Sequence, residues 1–236
     1  MTGPGMDTAP EMAVSVAIID SGVNGDHPHV GGVVSGAAFS VAGDGAVLQD
    51  AGYLDEIGHG TAIAGVIRLY APMAALSAIK IFRTDLTASM PTLIAALEWA
   101  VSGGFRIIHL SLGTTRTRYR APLQALCQEA AERNIVVVAA ARTAADRIYP
   151  AVFDTVIGVC QAPGCPPGRL IHHPGAPVNF GAHGQPRPIP GLPQERNFRG
   201  SSFAAAHVTG RVAAFLEDHP DADAAVLMQA LQKLAT

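Results

Sequence analysis

Five short apolar runs recur along the chain, at residues 14–19, 76–81, 105–110, 135–140 and 155–159. Each is too short for a helix, and most are rich in β-branched residues, as strands buried on both faces of a parallel sheet are. Between them the apolar positions take helical spacing. Pro91 suits a first helical position, Leu93, Leu97 and Trp99-Ala100 follow, and Gly103-Gly104 stops the run. Pro122 opens another, with Leu123, Leu126, Cys127 and Ala130 on one side and an end near Asn134. Residues 202–216 read as a helix of small residues suited to burial, and Asp221 or Asp223 is placed to cap a last helix through Leu234. Alternating strands and helices predict an α/β fold: a single-domain three-layer sandwich, a mainly parallel sheet with helices on both faces.

In such sheets ligands sit beyond the carboxyl ends of the strands. Asp20 follows the first apolar run, Ser111 to Gly113 the third, and Ala139 to Thr143 the fourth. One rim therefore gathers the polar and small residues.

Composition narrows the picture further. A chain of 236 residues fits one domain, and 49% apolar against 15% charged residues favours a well-filled core. Residues 162–199 hold nine prolines and no clear periodicity, so they read as a surface excursion rather than a second domain. The net charge is −3 and the 16 Lys and Arg are scattered, which argues against nucleic acid as a partner. No apolar stretch approaches membrane-spanning length. Met1 to Pro10 lack Lys, Arg and an apolar segment, so no secretory signal is expected, and residues 1–12 are expected to be flexible. Cys127, Cys160 and Cys165 are odd in number and read as free thiols, which points to a reducing, cytoplasmic setting.

Three segments carry candidate chemistry. Ala17-Ile18-Ile19-Asp20-Ser21-Gly22-Val23 places an acid at a strand end, and Gly58-His59-Gly60-Thr61 starts a helix of small residues with a histidine. Gly200-Ser201-Ser202-Phe203-Ala204 starts another with a serine. A nucleophilic serine needs a base within hydrogen-bond reach, and the base needs a third group to hold its tautomer. A helix N-terminus beneath the serine adds free N–H groups for a developing oxyanion. Singly, Asp20 would be a turn former, His59 a helix cap and Ser202 an N-cap.

In combination and in this chain order the segments resemble the subtilisin-like serine proteases (peptidase S8). Further matching stretches are Ala71-Pro72, Glu98-Trp99-Ala100, Ser111-Leu112-Gly113 and residues 136–141. The resemblance implies a catalytic triad of Asp20, His59 and Ser202, with Ser201 as the competing nucleophile. It also implies a substrate cleft walled by Ser111, Leu112 and Gly113 and by Ala139, Ala140 and Ala141, where a peptide pairs as an added strand. Ile148, just before Tyr149-Pro150, is the expected floor of the S1 pocket.

The departures from the family are informative too. An asparagine that usually donates to the oxyanion is replaced by Thr143, or by Arg142 if the register slips; losing such a donor costs about 100- to 1,000-fold in turnover. Ala206 and Ala62 replace a frequent proline and histidine. Only Arg68-Leu69-Tyr70 stands where many relatives insert a calcium-binding loop, so no calcium, and no other metal or cofactor, is expected. His207, His172-His173 and His27-x-His29 are expected to be structural or solvent-facing. The expected function is an intracellular serine endopeptidase, slow, cutting one dedicated protein or leader peptide. In size and departures it is similar to the maturation peptidase of the quinohemoprotein amine dehydrogenase small subunit. The alternatives are a catalytically silent binding protein and a broad digestive peptidase.

Overall fold

A computed structural model describes residues 13–33 and 35–235; residues 1–12, with the segment expected to be flexible, lie outside the described residues. The strands are β1 (Ser15–Asp20), β2 (Ser35–Val41), β3 (Val47–Asp50), β4 (Ala75–Lys80), β5 (Ile107–Leu110), β6 (Val136–Ala141), β7 (Val156–Gln161), β8 (Leu170–His172) and β9 (Phe180–Ala182). They form one sheet in the order β3-β2-β4-β1-β5-β6-β7-β9-β8, antiparallel only at its two edge pairs. All five expected strands are present, with ends moved by one or two residues.

The helices are α1 (His59–Tyr70), α2 (Met90–Ser102), α3 (Arg120–Glu132), α4 (Ser201–Asp218) and α5 (Ala224–Leu234). Local sequence explains their ends. Ser89 caps α2, its Oγ accepting from Thr92 N at 3.2 Å, with Pro91 in the first turn where no N–H is needed. Asp223 rather than Asp221 caps α5, accepting from Val226 N at 2.9 Å.

Alternation along β1 sends Val16 and Ile18 to one face of the sheet, Ala17 and Ile19 to the other. α1, α4 and α5 cover the first face and α2 and α3 the second, which makes the three layers. Small residues bring α1 against α4: a Cβ on Gly210 would lie 2.7 Å from the Tyr70 ring. The α1–β4 connection is tied by Arg68, whose guanidinium donates to four main-chain carbonyls, those of Val30, Gly32, Pro72 and Ala74.

Residues 162–199 differ from the sequence reading. β8 and β9 extend the sheet past β7, and Leu170 and Phe180 are buried in the core beside α4. A single phenylalanine in three-residue strands gives no periodicity to detect, yet its burial outweighs the surrounding proline content. The first edge was missed for a related reason. β2 has one large buried side chain, Phe39, among mostly small residues, and all four residues of β3 are exposed.

Candidate active site

Asp20 is the last residue of β1 and pairs with Lys80 on β4, while β5 stops one position short, at Leu110. The carboxylate is fully buried. It accepts from Ser21 N at 2.7 Å and Ser21 Oγ at 3.1 Å, and faces His59 Nδ1 at 2.8 and 3.0 Å through its two oxygens. Burial alone would push its pKa up. The facing histidine and hydrogen bonds from His59, Ser111 and Ser21 outweigh burial and hold it below the usual carboxylate range. An ionised Asp20 only accepts, so His59 carries its proton on Nδ1 and leaves Nε2 free to act as a base.

His59 is the first residue of α1, and the loop before it is fixed by a group that sequence reasoning missed. The Asp55 carboxylate accepts from Ile57 N, Gly58 N, Thr61 N and Thr61 Oγ1 at 2.6–3.0 Å, capping the helix where Gly58 has no side chain to do so. Asn24 exchanges hydrogen bonds with the Asp55 backbone, lashing the loop after β1 to the start of α1. Gly60 lets the two meet: a Cβ there would lie 2.2 Å from Gly22 O. Phe198 and Phe203 set their rings edge-on to the imidazole, at centroid distances of 5.6 and 5.0 Å.

Ser202 stands in the first turn of α4, after Gly200, whose φ of 142° suits glycine. Its hydroxyl donates to the Ser111 carbonyl at 3.3 Å. The competing Ser201 is turned the other way, its Oγ accepting from Gln161 N at the end of β7 at 3.2 Å. The N–H groups of Phe203 and Ala204 donate to the Gly200 carbonyl, so those of Ser201 and Ser202 are the first-turn donors without an intrahelical partner.

Ser111 also leads into the core. His109 is fully buried, its Nε2 lies 3.0 Å from Ser111 Oγ, and its Nδ1 lies 2.9 Å from Thr209 Oγ1 on α4. Burial pushes the His109 pKa down to about 4, so it is neutral near pH 7. Neutral His109 carries one ring hydrogen, so of Ser111 Oγ and Thr209 Oγ1 one accepts from the ring and the other donates to it. This chain links the rim of the sheet to α4. Only a histidine in an otherwise apolar strand, Ile107-Ile108-His109-Leu110, marked it in the sequence.

β5 and β6 part at their carboxyl ends. After Leu110 the chain leaves the sheet through Ser111, Leu112 and Gly113 and rejoins Tyr149 at Thr114. Ala140 and Ala141 are left without a β5 partner. Contrary to the reading that residues 139–143 follow a strand, Ala139 to Ala141 are its second half, since all three pair with β7. Ile148 lies against Gly113, whose Cβ would sit 2.8 Å from its Cγ1. Arg142 and Thr143 stand just beyond β6, exposed and tied down. Both main-chain N–H groups donate to the Asp146 carboxylate, which also pairs with the Arg142 guanidinium at 3.2 Å. Burial pushes the Asp146 pKa up, and the Arg142 guanidinium together with those N–H bonds outweighs it and holds the pKa down. His207 is structural, its Nε2 donating to Gln185 O at 3.0 Å and its Nδ1 facing Tyr70 Oη at 2.6 Å.

Residues 11–236 match the model of the subtilase family, peptidase S8. The chain belongs to the subtilase family. It is 29% identical to subtilisin DY of Bacillus licheniformis over 236 residues, covering 94% of this chain and 84% of that one. Subtilisin E of Bacillus subtilis (strain 168) is also 29% identical, with 94% of this chain and 60% of the relative covered. A cold adapted subtilisin-like serine proteinase shares the fold of this subtilase with a TM-score of 0.73 at 21% identity, over 94% and 82% of the two chains. A lanthipeptide protease shares it with a TM-score of 0.70 at 20% identity, over 93% and 79%. Among the described residues no three His, Cys, Asp or Glu side chains come together as a metal-holding group, and no helix is long and apolar enough to cross a membrane.

Proposed function

We propose that this subtilase is an intracellular serine endopeptidase in which Asp20, His59 and Ser202 form the catalytic triad. The observation that carries the reading is the buried Asp20–His59 pair, 2.8 Å apart, with the imidazole packed against Phe203, the residue after Ser202 in the first turn of α4. In the reaction Ser202 exchanges the Ser111 carbonyl for His59 Nε2, which takes its proton as it attacks the scissile carbonyl. His59 then returns the proton to the leaving amine, and water repeats the sequence on the acyl-enzyme. Asp20 stays ionised throughout and stabilises the imidazolium. The peptide backbone lies in the gap between Ser111–Leu112–Gly113 and Ala139–Ala140–Ala141, with Ile148 closing the S1 pocket to all but small or medium side chains.

The oxyanion site is weaker than a full set of donors. Ser202 N–H is available, whereas the Arg142 guanidinium is engaged with Asp146 and Thr143 is held there through its main-chain N–H, leaving its hydroxyl as the second donor. Turnover about 100- to 1,000-fold below that of an enzyme with the usual asparagine donor follows. A slow enzyme suits one dedicated protein or leader peptide better than bulk digestion. The lanthipeptide protease of like fold agrees with leader removal. Cys127, Cys160 and Cys165 are all unpaired and buried, with burial raising each thiol's pKa, which supports a reducing, cytoplasmic setting.

A proteome-derived peptide library digested by the protein tests this. A few related sequences should be cut, casein should be left intact, and Ser202→Ala should cut nothing. Broad cleavage of the library and casein would contradict a dedicated substrate. The one observation favouring a silent binding protein is the Ser202 hydroxyl turned to Ser111; a library left uncut, with peptides retained by the protein, would bear that reading out.

A further inference from the structure

Against Gly58, the residue before His59, lies a cavity of about 190 Å³. This is room for one side chain rather than a drug-sized ligand. Its walls come from the loop after β1 and from the segment before Ser202, and it shares Gly58 and Phe198 with the surroundings of the catalytic imidazole. Three groups able to carry positive charge line it: His27, His29 and Arg187. No carboxylate does. Asp55, on the neighbouring loop, is fully occupied in capping α1, and Asp26 is exposed outside the wall.

Arg187 has no acidic partner within 4.0 Å among the described residues and reaches only the His29 carbonyl, at 3.5 Å. His27 accepts from His29 N through Nδ1 at 3.2 Å, so Nε2 is its remaining donor. Burial first, and then the positive neighbours Arg187 and His27, lower the His29 pKa. Arg187 is thus a fixed cation with no anion beside it, and a ligand carboxylate would supply one.

His59 hands its proton to the leaving amine, so the half of the substrate after the cleaved bond passes this side of the imidazole. We propose that the cavity is a carboxylate subsite for that half, filled by an acidic side chain or by the C-terminal carboxylate of a short leaving segment. The inference rests on the peptidase reading above. Arg187 supplies the charge-assisted hydrogen bond, and Phe198 separates the carboxylate from His59.

Binding can be read without turnover. The Ser202→Ala protein is titrated with H-Ala-Asp-NH2, H-Ala-Ala-OH and H-Ala-Asn-NH2 while the ring resonances of His27 and His29 are followed by NMR. At least one of the two carboxylate peptides should move both rings and bind at least 10-fold more tightly than the neutral one. Whichever of the two binds better identifies the source of the carboxylate. Arg187→Ala should remove the preference, and Arg187→Glu should shift it to H-Ala-Lys-NH2. Equal binding of all three peptides, unmoved histidine rings, or a preference that survives in both Arg187 variants would overturn the proposal. Failure of the peptidase reading shows separately, as an intact protein whose Ser202 resists serine-directed reagents.

Discussion

Asp20 is an anion with no exposed surface, so its charge depends on the donors around it. Ser111 helps hold its pKa down, and His109 and Thr209 stand behind the Ser111 hydroxyl. A hydrogen bond to a buried charge is worth about 1.5–3 kcal/mol, so Ser111→Ala should lower kcat by roughly 10- to 100-fold. His109→Leu removes the hydrogen-bonding group behind Ser111 and should lower kcat with little change in KM, while His109→Gln, which keeps a polar amide there, should recover part of it. Steady-state kinetics on one cleaved peptide checks this; equal kcat for the Leu and Gln variants would show His109 to be mere filling. Asp20, His59 and Ser202 were legible as types at motif positions. The donors behind them were not, because a histidine in an apolar run looks the same whether it holds a functional serine or only a core hydrogen bond.

Two elements set the geometry, α1 and α4, and both rely on close approach. Gly60→Ala would press a methyl within 2.2 Å of Gly22 O and 3.1 Å of Asp20 Oδ1. Overpacking of this kind costs about 1–3 kcal/mol, and here it also shifts His59 from Asp20. Urea denaturation and activity should therefore both fall, and a stable, fully active variant would contradict the packing. Further along, Arg68 gathers four carbonyls from the loops around Val30 and Ala74, cross-linking them with a single fixed charge. Arg68→Met should destabilise the protein by roughly 2–4 kcal/mol, whereas a chelator should leave its melting temperature unchanged. A melting temperature that drops with chelator would mean that a bound metal does part of this work. The central strands were legible from their apolar runs. Edge strands β3 and β8 were not, since their stability comes from partners far along the chain and not from their own pattern.

At the scale of the whole molecule, two buried histidines make stability depend on pH. Burial lowers both His109 and His207 to about 4. In the unfolded chain each takes up a proton near pH 6.5, while the folded chain keeps it neutral. Acidification from about pH 6.5 to 4 therefore favours unfolding, by up to roughly 3 kcal/mol per histidine. Asp20, held below its ordinary value, adds a further loss only below about pH 4. Urea midpoints at pH 7, 5.5 and 4.5 should fall steadily, and less steeply in His207→Gln, whose amide can still meet Tyr70 and the Gln185 carbonyl. Parallel curves for the two proteins would remove His207 from the account. The layered α/β plan was legible from alternating segments alone. The cationic cavity was not, because it joins residues 27–29 to residue 187, which only the folded chain brings together.

Labelling with a fluorophosphonate probe tests the central claim most directly, because it needs only a serine made nucleophilic by its base. Near-stoichiometric labelling of the wild-type protein, lost in both Ser202→Ala and His59→Ala, is the predicted result. No labelling of the folded wild type, or labelling that survives Ser202→Ala, would contradict it.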